Sequence, residues 1–111
     1  MIGKRVLLVE SGRFIGGVIH RLFALEDKLI VREICPKSPR ELLREVNSYL
    51  PDVVVLDDTQ QVNYLNYLLC SLQTCAGLRI VVVNANSNQV EVYYKQQVPV
   101  MNTADLFAVI Q

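Results

Sequence analysis

The stretch "PDVVVLDDTQ", residues 51–60, joins an uninterrupted apolar run to two acids. Residues 53–56 are apolar at consecutive positions, and the first three of them are β-branched valines. A strand has this pattern when both of its faces are covered by other parts of the protein. The stretch therefore predicts a central strand that ends at Asp57, with this acid at the carboxyl edge of a sheet.

Three further apolar runs have a similar character, namely "RVLLVE" (5–10), "KLIVREI" (28–34) and "RIVVVN" (79–84). The second alternates in polarity and ends in charge, as an edge strand does. Helical patterns separate the runs: an apolar stripe over residues 14–23, the capping signal "SPRE" at residues 38–41, and a stripe formed by residues 62, 65, 69 and 72. Asn102 or Thr103 can cap a last short helix.

Strands that alternate with helices predict a parallel sheet with helices on both faces. Right-handed crossovers leave few topologies for a single domain over residues 1–111. We expect a flavodoxin-like, three-layer α/β/α fold with a parallel sheet of order 2-1-3-4-5.

The segment between residues 84 and 102 departs from this alternation. Its start, "NANSNQ" (84–89), is rich in turn-forming residues, and "VEVYYKQQVPV" (90–100) alternates in polarity without a helical stripe. We predict that the fourth helix is missing or vestigial. An extended, hairpin-like segment near 90–101 would replace it, with residues 90–95 and 97–101 as the last strand or strands.

The bulk composition excludes several classes of partner. Eleven basic and eleven acidic side chains cancel, so no net field attracts nucleic acid or an anionic membrane. The three cysteines lie in apolar surroundings, which suits a reduced, cytoplasmic protein better than a disulfide scaffold. The apolar run near the start is too short for a signal peptide or a membrane span.

Polar residues follow three of the predicted strands. Glu10 and Ser11 follow the first, Asp57 and Asp58 end the third, and Asn84 ends the fourth. In an open α/β sheet, ligands bind beyond the carboxyl ends of the strands at the point where the strand order reverses. These residues would share one shallow site there, and its carboxylates are the kind of ligand that Mg²⁺ prefers.

"KRVLLVE" and "PDVVVLD", with the order of elements over residues 4–84 and at the last helix, resemble a response-regulator receiver domain of bacterial two-component systems. The resemblance implies that Asp57 stands at the position that accepts a phosphoryl group in a phosphorelay. Receivers also carry a pair of acids after the first strand, and here the pair is Glu10 and Ser11. A serine hydroxyl is a weak, neutral metal ligand, so one metal-binding carboxylate is lost.

Two other receiver positions also depart from the family pattern. Asn84 stands where a threonine or serine would report the phosphoryl group. Val98 and Pro99 match a Lys-Pro pair, with valine in place of the lysine. Lys95 would substitute for that lysine only if the strand register were shifted. Since phosphoryl transfer depends on charge neutralisation, these changes predict a degenerate pseudo-receiver.

The predicted function is a receiver-like signal-transduction module, not an enzyme, that acts by protein–protein contacts. Asp57 would be an inactive phosphoacceptor position beside a vestigial acidic pocket of Glu10, Ser11, Asp58 and Asn84, without a resident cofactor. The alternative is a functional receiver phosphorylated on Asp57, with weakly bound Mg²⁺ held by Glu10 and Asp57. The expected partner is a protein, and a homodimer through the 90–101 edge is one form of it.

A remote alternative is a small nucleotide- or flavin-binding domain. "ESGRFIGG" (10–17) follows a strand and opens a helix, as a dinucleotide-binding turn does. Gly12, Gly16 and Gly17 do not have the G-x-G-x-x-G spacing, however. Absorbance of the purified protein beyond the tyrosine band would identify such a binder.

Overall fold

The computed structural model describes residues 3–10, 28–84 and 89–111, without the side chains of residues 60–62. The elements in these ranges are β1 (Lys4–Val9), β2 (Leu29–Ile34), α1 (Pro39–Tyr49), β3 (Val53–Asp57), α2 (Asp58–Ser71), β4 (Arg79–Val83), β5 (Val90–Tyr94) and α3 (Thr103–Ile110). The predicted apolar stripe over residues 14–23 lies outside the described residues. No described helix combines the length and the apolar character needed to cross a membrane.

The five strands form one sheet in the order β2-β1-β3-β4-β5. β1, β2, β3 and β4 run parallel to one another, whereas β5 pairs with β4 antiparallel. The prediction of an entirely parallel sheet is therefore wrong at its last strand. Without a long crossover after β4, the chain returns directly along β4, and a short connection permits only antiparallel pairing.

The segment near 90–101 is extended in only its first half. β5 confirms a strand close to the predicted residues 90–95, but residues 97–101 form no strand. β4 ends at Val83 and β5 begins at Val90, and the two described residues of the connection, 84 and 89, are not helical. Only four residues lie between these two. A missing or vestigial fourth helix is consistent with so short a connection, and the hairpin forms with β4 itself.

Both faces of the sheet contribute to the core. On one face, α1 and α2 cover β1, β3 and β4, and the fully buried side chains include Leu7, Leu42, Val54, Leu68 and Ile80. On the other face, Val6, Leu8 and Val55 form a second buried cluster. The consecutive apolar residues of β1 and β3 are thus explained, because these strands are buried on both faces.

Helix α1 begins with the capping signal that its sequence predicts. The Ser38 hydroxyl oxygen accepts the Glu41 N–H at 3.2 Å, and Pro39 occupies the first turn. The Glu41 carboxylate accepts the N–H of Lys37 at 3.2 Å, one residue earlier than in a standard capping box. The helix therefore starts at a position fixed by polar contacts.

Tyr49 anchors the other end of α1 to the sheet. Its hydroxyl donates to the carbonyl of Ile30 in β2, and the guanidinium groups of Arg5 and Arg32 lie 5.8 and 5.6 Å from its ring centroid. Arg32 also pairs with Glu45 of the helix at 3.1 Å. These contacts fix α1 over the first two strands of the sheet.

Leu50 ends α1 in the left-handed region, at φ 52°. A side chain strains this conformation, so Leu50→Gly is expected to raise the free energy of unfolding by about 0.5–1 kcal/mol. Gly77, at φ +80°, allows the reverse substitution as a control. Because an added methyl group there meets no atom within 4 Å, Gly77→Ala should lower the free energy of unfolding only through the strain of a side chain at positive φ. Urea unfolding should show opposite signs for the two variants, and a destabilised Leu50→Gly would contradict the expectation.

The last two elements leave much apolar surface exposed. Helix α3 has no buried residue, although Asn102 caps it by accepting the Asp105 N–H at 3.0 Å. Only Tyr93 of β5 packs against the core, on the side of α1 and α2. The exposed apolar side chains of β5 and α3 are Val90, Val92, Tyr94, Leu106, Phe107, Val109 and Ile110.

Candidate functional site

Asp57 forms the junction between β3 and α2. Its side chain is only 6% exposed, and its Oδ1 accepts the Thr59 N–H at 3.0 Å together with the Thr59 hydroxyl. Helix α2 begins at the very next residue, Asp58. Asp57 is therefore the N-cap of α2, because its carboxylate satisfies the N–H of the second helical residue.

Asp58, which the sequence places in the acidic pocket, is the first residue of α2, whereas Asp57 caps the helix. Thr59 was not identified from the sequence as a site residue. Its signal was present nonetheless, since an acid followed two residues later by threonine is typical of a side-chain cap at a strand–helix junction.

The carboxyl edge brings three of the predicted site residues together. Leu8 pairs with Val55, two residues before Glu10 and Asp57, so the two acids lie on neighbouring strands at the same edge of the sheet. Asp57 pairs with Val83, and Asn84 follows directly. Ser11 lies outside the described residues.

The backbone at this edge is also tied down. The Glu10 N–H donates to the carbonyl of Ile34 at 2.7 Å, which links the ends of β1 and β2. The Asn84 N–H donates to the carbonyl of Gln89 at 3.3 Å, which joins β4 to the start of β5. The residues that would face a ligand therefore lie on a fixed frame.

The acids at this edge do not form a complete metal cage among the described residues. Within residues 3–10, 28–84 and 89–111, no group of three or more histidine, cysteine, aspartate or glutamate side chains could hold a metal ion. One Asp57 oxygen already accepts two hydrogen bonds from Thr59. Oε1 of Glu10 and Oδ1 of Asp58 are both buried, so two carboxylate oxygens are present where the octahedral shell of Mg²⁺ has six ligands.

Lys95 cannot neutralise charge at Asp57 in this arrangement. Because β5 is antiparallel, Tyr94 pairs with Arg79 at the start of β4, whereas Asp57 pairs with Val83 at its end. Four residues of strand separate those positions, roughly 13 Å. Lys95 instead lines a cavity of about 250 Å³ beyond the end of α2 with Leu72, Gln73, Thr74, Ala76, Gly77 and Gln97.

Val98 and Pro99, the match to the receiver's Lys-Pro pair, follow Lys95 away from this edge along the chain. Gln89 and Val90 lie instead at the end of β4 that carries Asn84. The direction of β5 thus keeps Lys95, which could replace the receiver lysine only with a shifted register, away from the acidic edge. The glycines of the suggested nucleotide turn, Gly12, Gly16 and Gly17, fall outside the described residues.

No protein-family model, curated protein or solved structure matches the chain.

Proposed function

We propose that the chain is a receiver-like signalling module of flavodoxin-like fold, of the kind found in the bacterial cytoplasm, that acts by protein–protein contacts and not by phosphotransfer. The sheet order β2-β1-β3-β4-β5, with an acid at the end of the central strand, supports the receiver-like assignment. The last, antiparallel strand is a departure from that fold.

The observation that carries the loss of phosphotransfer is the engagement of the Asp57 carboxylate. Oδ1 is held by the N–H and hydroxyl of Thr59, and the side chain is almost fully buried. Attack through Oδ2 would turn Oδ1 into the carbonyl oxygen of an acyl phosphate, which accepts more weakly than a carboxylate and would therefore weaken the cap of α2. In this proposal Asp57 is a structural residue at a position that receivers use for chemistry.

Electrostatics at the same edge supports the proposal. Phosphoryl transfer requires positive charge near the transferred group, because negative charge accumulates on its oxygens. Glu10, Asp57 and Asp58 are all acidic, and Lys95 lies at the other end of β4. A dianionic phosphoryl group would meet like charge at this edge.

An amide-resolved NMR titration with Mg²⁺ and then beryllofluoride, a phosphoryl mimic that requires metal and an aspartate, tests the proposal. We expect no specific shifts at Asp57, Thr59 or Asn84 in the wild-type protein. The Asp57→Asn variant is the matched control, because asparagine caps a helix as well as aspartate but cannot bind the mimic. Saturable shifts in the wild type that are absent from the variant would establish the functional receiver instead.

A further inference from the structure

Along the outer edge of β5, every second residue directs its backbone N–H and C=O away from the sheet. In antiparallel strands, the N–H and C=O of one residue point to the same side, and this side alternates along the strand. Because Asn84 donates to the carbonyl of Gln89, the residues Gln89, Glu91 and Tyr93 direct these groups toward β4. Val90, Val92 and Tyr94 therefore direct theirs outward, and β4 is the neighbour of β5 in the described sheet.

The same edge is apolar on one face. The side chains of Val90, Val92 and Tyr94 are 55%, 50% and 54% exposed, and their alternation places them on the same face of the sheet. An exposed, apolar edge strand is a template for pairing with another strand.

We propose that the partner of this edge is a second copy of the chain, with the two β5 strands paired antiparallel about a twofold axis through Tyr93. This inference rests on the proposed function, since it names the partner of a module that acts by protein contacts. In this register, Val92 of each copy exchanges both backbone hydrogen bonds with Tyr94 of the other. The two sheets would become one continuous sheet.

Charge complementarity selects this register among those that the outward groups allow. An axis through Tyr93 places Glu91 of one copy opposite Lys95 of the other, and symmetry makes this pair twice. An axis through Val92 pairs Glu91 with Tyr93, and an axis through Glu91 places two like charges opposite each other. Glu91 in β5 and Lys95, which directly follows β5, thus favour the Tyr93 axis, which also pairs a β-branched side chain with an aromatic one.

The expected dimer is reversible. Two five-residue strands cover less surface than the roughly 1,200–2,000 Å² of a standard interface, so we expect dissociation in about the micromolar range. Sedimentation velocity of the full chain over a range of concentrations should show this equilibrium. A chain that stays monomeric up to millimolar concentration would overturn the inference.

Charge reversal tests the register. Glu91→Lys and Lys95→Glu should each weaken the dimer by about ten-fold or more, because each places like charges opposite each other twice. The double variant, with both reversals, should return to within about three-fold of the wild type. Glu91→Lys also removes the hydrogen bond that Glu91 accepts from the Tyr93 hydroxyl, but the double variant lacks it too, so their comparison isolates the ion pairs. Failure of the double variant to recover would contradict this register.

Amide hydrogen exchange distinguishes strand pairing from association through α3. The amides of Val92 and Tyr94 should become protected as concentration rises, whereas protection of Tyr93, which faces β4, should not change. Exchange at Val92 and Tyr94 that is independent of concentration in a dimeric sample would overturn the pairing.

The failure of this inference can be told apart from the failure of the proposed function, because sedimentation velocity does not involve Asp57. A chain that stays monomeric would contradict the dimer. A chain that binds beryllofluoride would contradict the proposed function.

Discussion

Replacing Asp57 with alanine is expected to lower the free energy of unfolding by about 2 kcal/mol. The change removes the N-cap of α2 and leaves the backbone and hydroxyl donors of Thr59 without the acceptor that Asp57 provides. An acid kept for chemistry in an acidic pocket has the opposite signature, since removing its charge relieves repulsion and stabilises the fold. The sign of the change therefore separates a structural Asp57 from a catalytic one.

Two matched variants identify the source of this loss. Asp57→Asn keeps an oxygen that can cap the helix, so it should retain most of the stability that Asp57→Ala loses. Thr59→Val keeps the backbone donor and removes the hydroxyl, and we expect a loss of about 1 kcal/mol. Urea unfolding followed by far-UV circular dichroism measures all three. An alanine variant as stable as the wild type would show that the carboxylate does not hold the junction.

The sequence was most informative where a single physical effect decides the structure. Burial on both faces requires consecutive apolar residues, so β1 and β3 were recognisable from their composition alone. Local hydrogen bonds decide helix starts, so Ser38 and Asn102 were recognisable as caps. These features need no knowledge of distant parts of the chain.

The direction of β5 could not be read in the same way. An exposed edge strand alternates in polarity whether it runs parallel or antiparallel, so Val90, Val92 and Tyr94 indicate a strand but not its direction. That direction places Lys95 at the far end of β4 from Asp57. The acidic edge was predictable because it depends only on where the parallel strands end. Its distance from Lys95 depends on how β5 pairs with β4, which the sequence pattern does not decide.

Helix α2 provides the second test, because sequence and structure assign its buried face differently. The spacing of apolar residues selects positions 62, 65, 69 and 72, whereas the structure buries Leu65, Leu68 and Leu72 and leaves Leu69 partly buried. Leu68 and Leu69 are adjacent and equally apolar, so periodicity alone cannot choose between them. Packing against the sheet decides the face.

Leu68→Ala should therefore lower the free energy of unfolding by about 2–5 kcal/mol, because it removes a fully buried side chain and leaves a cavity in the main core. Leu69→Ala makes the same chemical change one residue along, at the margin of that core, and should cost only about 1 kcal/mol. Both variants keep the helix propensity high, so intrinsic propensity does not confuse the comparison. A loss of stability at Leu69 that equals or exceeds the loss at Leu68 would mean that α2 presents the face selected by its sequence spacing. The cap at Asp57 would then have to hold the helix in a different rotation about its own axis.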